Sequence, residues 1–264
     1  MEQIKELRER TGAGMVDCKK ALDEAGGDLD KAIEILRKKG IAKAAKRSER
    51  DAAEGIIVVL TNDEKNEAYA LELNSETDFV ARNEKFQELA RQILEIVKTN
   101  KPSSEEELLK AKLGDSTVEE NINNLSGVIG EKLALGRFSI VSGQTVASYS
   151  HLGGKIGVLV AIDQVGKFNL ASDIAMHIAA ANPRYLNSEE VPSAELEKEK
   201  DVYREQLIKE GKPENMIENI LQGKVKKYYS EICLLDQEYI KDDKKKISEI
   251  LEGASISKFV RLSL

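Results

Sequence analysis

Apolar residues along this chain fall in two patterns, helical spacing and short continuous runs, and each change of pattern marks a change of element. Over residues 1–40 the spacing is helical. Ile4 and Leu7 mark a first helix, Cys18, Ala21, Leu22 and Ala25 a second, and Leu29, Ala32, Ile33 and Leu36 a third. Thr11-Gly12-Ala13-Gly14 separates the first two with residues free to take positive φ, and Gly26-Gly27-Asp28 supplies a stop followed by an N-cap. A bundle this short buries a small core, so it is marginal alone but viable. Residues 41–54 read as a basic, Ala-rich connector, helical at least in part. Helical spacing then gives way to short, strand-like apolar runs. Stretches 56–60 and 68–73 read as a hairpin around a polar turn at 62–66, followed by a helix over about 84–99. A second hairpin, 145–150 with 156–162, turns at Gly153-Gly154 and precedes a helix over about 169–181.

The two later helices share a register. Leu89-Ala90, Ile93, Val97 and Pro102 recur 81 residues on as Leu170-Ala171, Ile174, Ile178 and Pro183. Five matched positions ending in a helix-stopping proline suggest two related hairpin-plus-helix subdomains; chance recurrence of common helix residues is the alternative. Between them, 103–140 is weaker, with helices predicted at 105–112 and 117–135. After the second helix the texture changes. Residues 193–210 are mostly Glu, Lys and Gln with Leu196, Tyr203 and Leu207 on one stripe; Gly211-Lys212-Pro213 breaks the helix; Ile217, Leu221, Val225, Tyr228 and Ile232 form a second narrow stripe. Seams this narrow predict an antiparallel helical hairpin of coiled-coil type. Residues 254–264 read as a closing strand. The fold class is therefore α+β. The division is 1–40 helical module, 41–54 linker, 55–140 and 141–264 the two core subdomains, with the coiled-coil insertion at about 187–235.

One segment stands apart. Asn74-Ser75-Glu76-Thr77-Asp78-Phe79-Val80-Ala81-Arg82-Asn83 joins a strand to a helix and carries a Phe among polar neighbours. An apolar tip on a polar loop suits a side chain meant for another molecule's pocket. The alternative is that Phe79 caps the local core from beneath the loop.

Composition narrows the function. Acidic residues outnumber basic ones, 47 to 40, so no general nucleic-acid surface is advertised. Lys38, Lys39, Lys43, Lys46, Arg47 and Arg50 nevertheless cluster, either as a solvated helical linker or as a contact to RNA or an acidic partner. Cys18 and Cys233 lie far apart on helical apolar positions and read as buried free thiols in a reducing cytoplasm. Charged residues from Glu2 to Arg10 exclude a secretory leader, and no apolar run has the length of a bilayer span. Gly153-Gly154-Lys155 lacks the first glycine and the hydroxyl of a phosphate loop; no Gly-x-Ser-x-Gly or His-Glu-x-x-His occurs. Of two histidines, His177 lies inside an Ala-rich helix and reads as a packing residue, whereas His151 sits beside a Gly-rich turn and is open to a partner. With no catalytic constellation, the chain reads as a binding protein and not an enzyme.

The motifs then carry a family resemblance. Leu7-Arg8-Glu9-Arg10-Thr11-Gly12-Ala13-Gly14-Met15-Val16-Asp17-Cys18-Lys19-Lys20-Ala21-Leu22 resembles the N-terminal signature of bacterial elongation factor Ts. Thr77-Asp78-Phe79-Val80, His151 with Lys155-Ile156-Gly157-Val158-Leu159-Val160, and Ala175-Met176-His177-Ile178-Ala179-Ala180 resemble further motifs of that family in the same order. The resemblance implies a ubiquitin-associated-like start, a two-fold core, and nucleotide exchange on the translational GTPase elongation factor Tu. Arg8, Met15 and Val16 would contact the partner from the helical module. Asp78 and Phe79, framed by Thr77 and Val80, would intrude on its magnesium and nucleotide site, and His151 would share that surface. The family's second Met is Val16 here, and Gly136 stands where an Arg often precedes Arg137. The chain also stops soon after Phe259-Val260-Arg261, without the helical tail of longer members. No cofactor, membrane, small-molecule substrate or direct nucleic-acid contact is expected. Two other readings stay open: a ubiquitin-associated-type adaptor or RNA binder using the basic connector, and an unrecognised enzyme.

Overall fold

The computed structural model describes residues 1–45, 47 and 49–264, and of the side chains at 41 and 43–45 nothing is described. Lys43 and Lys46 of the basic run thus lie outside the described side chains. Three helices open the chain: α1 Glu2–Thr11, α2 Met15–Glu24 and α3 Leu29–Ala45. They close on Leu7, Cys18, Ala21, Leu22 and Ala32, the apolar positions that the helical spacing picks out. Gly12 ends α1 in the left-handed conformation (φ 69°), its N–H bonded to the Arg8 carbonyl. The third helix outruns its apolar stripe and continues into the connector.

Next come β1 Glu54–Thr61, β2 Glu67–Ser75, the single turn α4 Asp78–Ala81, and α5 Glu84–Asn100. A small excursion follows, with α6 Glu105–Lys110, β3 Lys112–Leu113, β4 Ser116–Thr117 and α7 Val118–Ile129, before β5 Leu133–Ser142. The second half has β6 Thr145–His151, β7 Ile156–Ile162 and α8 Phe168–Ala181. It continues with α9 Ser193–Lys209, α10 Glu214–Ile232, β8 Glu238–Tyr239, β9 Asp242–Lys246, α11 Ile247–Ile250 and β10 Ile256–Ser263.

The helix predicted over 117–135 is shorter than its apolar content suggested. Gly130 (φ 94°) caps α7, and the chain beyond it becomes the ten-residue strand β5. With β5 included, each half makes a three-stranded antiparallel sheet of one design: β1-β2-β5 in the first, β6-β7-β10 in the second. The sheets pack face to face, with a helix outside each. Ile57, Ala68, Ala70 and Val141 meet Val146, Leu159, Ala161 and Leu262 between the sheets. Phe86, Leu89, Ile93 and Val97 of α5 cover Tyr69, Leu71 and Leu73. Ala171, Ile174 and Ile178 of α8 cover Val158, Val160 and Ile162. Strand alternation thus sends successive residues into different layers. The shared register extends to the backbone: Lys101 (φ 48°, ψ 56°) ends α5 and Asn182 (φ 49°, ψ 51°) ends α8, each in the left-handed region just before its proline.

α9 and α10 form the expected helical hairpin, turning at Gly211 (φ 70°) and burying Leu207, Ile217, Leu221, Tyr228 and Ile232. Its base is fastened through Glu195, whose carboxylate accepts from Tyr228 Oη (2.5 Å), Tyr185 Oη (2.7 Å) and Arg184 (2.8 Å). His177 fills the packing role read from the sequence: it is fully buried, with Nε2 3.0 Å from Gln237 Oε1 and Nδ1 accepting from the Ile240 N–H (3.4 Å). Both cysteines are buried and free.

Candidate functional site

The segment after β2 becomes a structured turn instead of a loose loop. Thr77 takes an extended N-cap conformation and its Oγ1 accepts from the Val80 N–H (3.4 Å). Asp78 opens the turn, where its charge suits the helix N-terminus, and pairs with Arg82 at 2.9 Å. Successive helical side chains point about 100° apart, so one turn divides its residues between two environments. Val80 (8% exposed) and Ala81 (6%) face the core, while Phe79 is left 80% exposed. Phe79 therefore does not cap the local core. Asn83 then caps α5 by accepting from the Lys85 N–H at 2.9 Å.

Two groups from the α7–β5 loop hold this turn. The Glu131 carboxylate accepts from Thr77 N–H (3.0 Å) and from Thr77 Oγ1–H (2.7 Å). In the opposite sense Glu76 accepts the Lys132 N–H at 2.5 Å and pairs with Arg50 at 3.2 Å. The Lys132 N–H, then Arg50, holds the Glu76 carboxyl below its ordinary range. Sequence reasoning missed Glu131 and Lys132, which lie more than 50 residues from their partners and belong to no local pattern.

The other predicted residues sit on surrounding elements. Arg8 is exposed on α1; Met15 (57%) and Val16 (67%) are exposed on the first turn of α2. The α1–α2 turn lies at the start of α5, where a Cβ on Gly12 would come 2.9 Å from Lys85 Nζ. That start follows Phe79 by five residues, so the helical module and the Phe79 turn meet at one end of α5. A cleft of about 540 Å³ lies between the end of α1, α5 and α7, lined by Thr11, Lys85, Glu88 and Val128. On the other flank a cleft of about 430 Å³ separates α5 from β1 and the β6–β7 turn. Ile57 N–H donates to the Gly154 carbonyl there (2.7 Å), and any side chain at Gly154 would strike Ile56. His151 begins this turn. Its ring is half-buried and stacked on Tyr149 (centroids 5.8 Å apart), with the exposed Leu152 beside it. The α1–α2 turn, which Met15 and Val16 follow, and the Phe79 turn thus lie toward one end of α5, and the β6–β7 turn that His151 begins lies along its other flank. Thr77 and Val80, placed by the motif among the contact residues, are occupied within the fold, Thr77 by Glu131 and Val80 by the core.

Gly136 has a structural cause. A Cβ there would approach Asn74 Oδ1 to 2.6 Å and Glu72 Cγ to 2.8 Å. Glu72 is buried and bonded to Arg137, which also donates to the Ser263 carbonyl (2.7 Å) and so ties the two sheets. Among the described residues no group of three His, Cys, Asp or Glu side chains is placed to hold a metal, and no helix is long and apolar enough to cross a membrane.

The chain thus combines a layered α+β core, one solvated aromatic on an anchored turn and a helical module beside it. The family model for elongation factor TS matches residues 76–264, and the chain belongs to that family. It is a family of translation elongation factors that act as guanine-nucleotide exchange factors. The match begins one residue before Thr77 and includes His151; Arg8, Met15 and Val16 precede it.

Proposed function

We propose that this protein is an exchange factor for elongation factor Tu, acting in the cytoplasm without a cofactor of its own. It binds the GDP-bound GTPase and promotes GDP release by inserting Phe79, with Asp78 beside it, near the partner's magnesium and nucleotide site. The carrying observation is Phe79 itself, 80% exposed on a turn whose neighbours are buried or hydrogen-bonded. A large aromatic gains little from such a position until a partner covers it.

Exchange requires that factor and nucleotide weaken each other's binding, equally by linkage. A thousandfold faster release needs roughly 4 kcal/mol directed at the release step. Burying one Phe supplies about 1.5–3 kcal/mol, so Phe79 does not act alone. In this reading the ubiquitin-associated-like module grips the partner through Arg8, Met15 and Val16, and His151 adds to the core contact. That binding drives Asp78 and Phe79 inward, while Thr77 and Val80 anchor the turn. The two ββα units are read as related copies, and the coiled-coil hairpin as an accessory outside the exchange machinery.

The test is release of a fluorescent GDP analogue from elongation factor Tu. Substoichiometric amounts of this protein should accelerate it by orders of magnitude; an unmoved rate would remove the proposal.

A further inference from the structure

The turn that carries Phe79 should not stand on its own. It is four residues long, far below the length at which a helix is stable in water. Its side-chain N-cap is a long bond of 3.4 Å from Val80 N–H to Thr77 Oγ1, and the Asp78–Arg82 pair across it is solvent-exposed. Gln87 Nε2 donates to the Ala81 carbonyl at the turn's far end (3.2 Å). Val80 and Ala81 fix its far end by burial, and the exposed Phe79 ring fixes nothing. The near end is held by Glu131, which spans 54 residues of sequence to take both donors of Thr77. Because the same hydroxyl that gives its proton to Glu131 accepts from Val80, the carboxylate also orients the cap. Glu131 is itself held: it follows the left-handed Gly130, and Ser126 Oγ donates to its carbonyl at 2.6 Å. The Glu76 bond to Lys132 N–H closes the arrangement crosswise, each loop giving a carboxylate to the other.

We infer that Glu131 is a positioning residue for exchange, a carboxylate clamp that keeps the Phe79 turn formed before a partner arrives. It touches neither nucleotide nor metal; it acts through Thr77. Its effect on exchange rests on the function proposed above, but its effect on the turn does not. With the clamp in place Phe79 meets the partner already ordered, and less binding energy is spent on ordering it.

The chain contains no tryptophan, so Phe79→Trp places a single indole on the turn. Its fluorescence anisotropy decay reports the turn's motion in the free protein. Adding Glu131→Ala should enlarge the fast component at least about twofold, and Glu131→Gln should fall between, since an amide oxygen can accept only one of the two bonds well. In the Phe79 protein, Glu131→Ala should lower the maximal rate of stimulated GDP release about tenfold. The half-saturating concentration should move less than about threefold, a split that loss of fold would not produce. Glu131→Gln preserves bulk and carries both readouts if the alanine variant fails to fold. Unchanged indole motion in both variants would overturn the clamp. Loosened motion with an unchanged maximal rate would overturn its role in exchange. If the unsubstituted protein does not stimulate release at all, the proposed function falls, and the anisotropy alone still decides whether Glu131 orders the turn.

Discussion

Phe79 contributes almost nothing to the fold that presents it, and Phe86, seven residues on, contributes a great deal. The first is 80% exposed and the second fully buried on the inner face of α5. Phe79→Ala should therefore change the unfolding free energy by no more than about 0.5 kcal/mol, while Phe86→Ala should cost about 3–5 kcal/mol. Urea melts of the two variants give the comparison, and a large loss at Phe79 would mean that the ring is packed in solution. His177 makes a different prediction. Burial lowers its pKa from the ordinary 6.5, so the folded state holds fewer protons than the unfolded chain just below that value. Its contribution is present above pH 6.5 and is lost as pH falls toward the lowered pKa. Asp173, Tyr239 and Lys241 nearby are already bonded to one another. Replacing His177 by Gln should flatten the decline in melting temperature over that interval; an unaltered slope would assign the decline elsewhere.

At the scale of elements, two antiparallel sheets of one strand order are each backed by a helix, and each half carries an excursion before its third strand. The larger excursion, α9–α10, is fastened at its base by Glu195, with Tyr228 and then Tyr185 holding that carboxyl below its ordinary range. Replacing 197–227 by a short Gly/Ser link keeps Glu195 and Tyr228. That variant should retain stimulated GDP release within about threefold; a variant as inactive as one lacking Phe79 would place the hairpin within the machinery. Much of this layer was legible in the chain, because the short apolar run 156–162, rich in β-branched residues and preceded by Gly153-Gly154, reads as a buried strand, and the 3.6-residue stripe from Phe86 to Val97 reads as a helix. β5 was not. Leu133 and Leu135 extend the apolar rhythm of α7, and only the positive φ of Gly130 separates helix from strand. Residues 238–250 were also unread, since strands as short as β8 and β9 form by covering α8 and not by any period of their own. At the candidate site Phe79 was legible from its polar neighbours, but its support was not, because Glu131 reaches Thr77 only after the chain has folded.

Across the whole molecule, the helical module, the Phe79 turn and the β6–β7 turn gather around α5. The module is seated by a close crossing: a Cβ on Gly127 of α7 would stand 2.7 Å from the Gly40 Cα of α3. Gly127→Val should force these helices apart, raising the radius of gyration by X-ray scattering and weakening partner binding, with the core's cooperative unfolding retained; unchanged scattering would show that the crossing does not seat the module. The described part of the basic run is spent internally, Lys38 on Glu34, Lys39 on Glu24, Arg50 on Glu76 and Arg47 on the Ser126 carbonyl. Arg50 thus ends on Glu76 beside the Phe79 turn, and Arg47 on α7, whose Ser126 side chain also holds the Glu131 carbonyl. The central claim is that this assembly exists to deliver one side chain. Phe79→Ala tests it most directly, with affinity for nucleotide-free elongation factor Tu and stimulated GDP release measured on the same protein. The account predicts affinity retained within about tenfold and release slowed by more than that, in keeping with the roughly 1.5–3 kcal/mol that a buried Phe supplies. An exchange rate equal to that of the unsubstituted protein would contradict it.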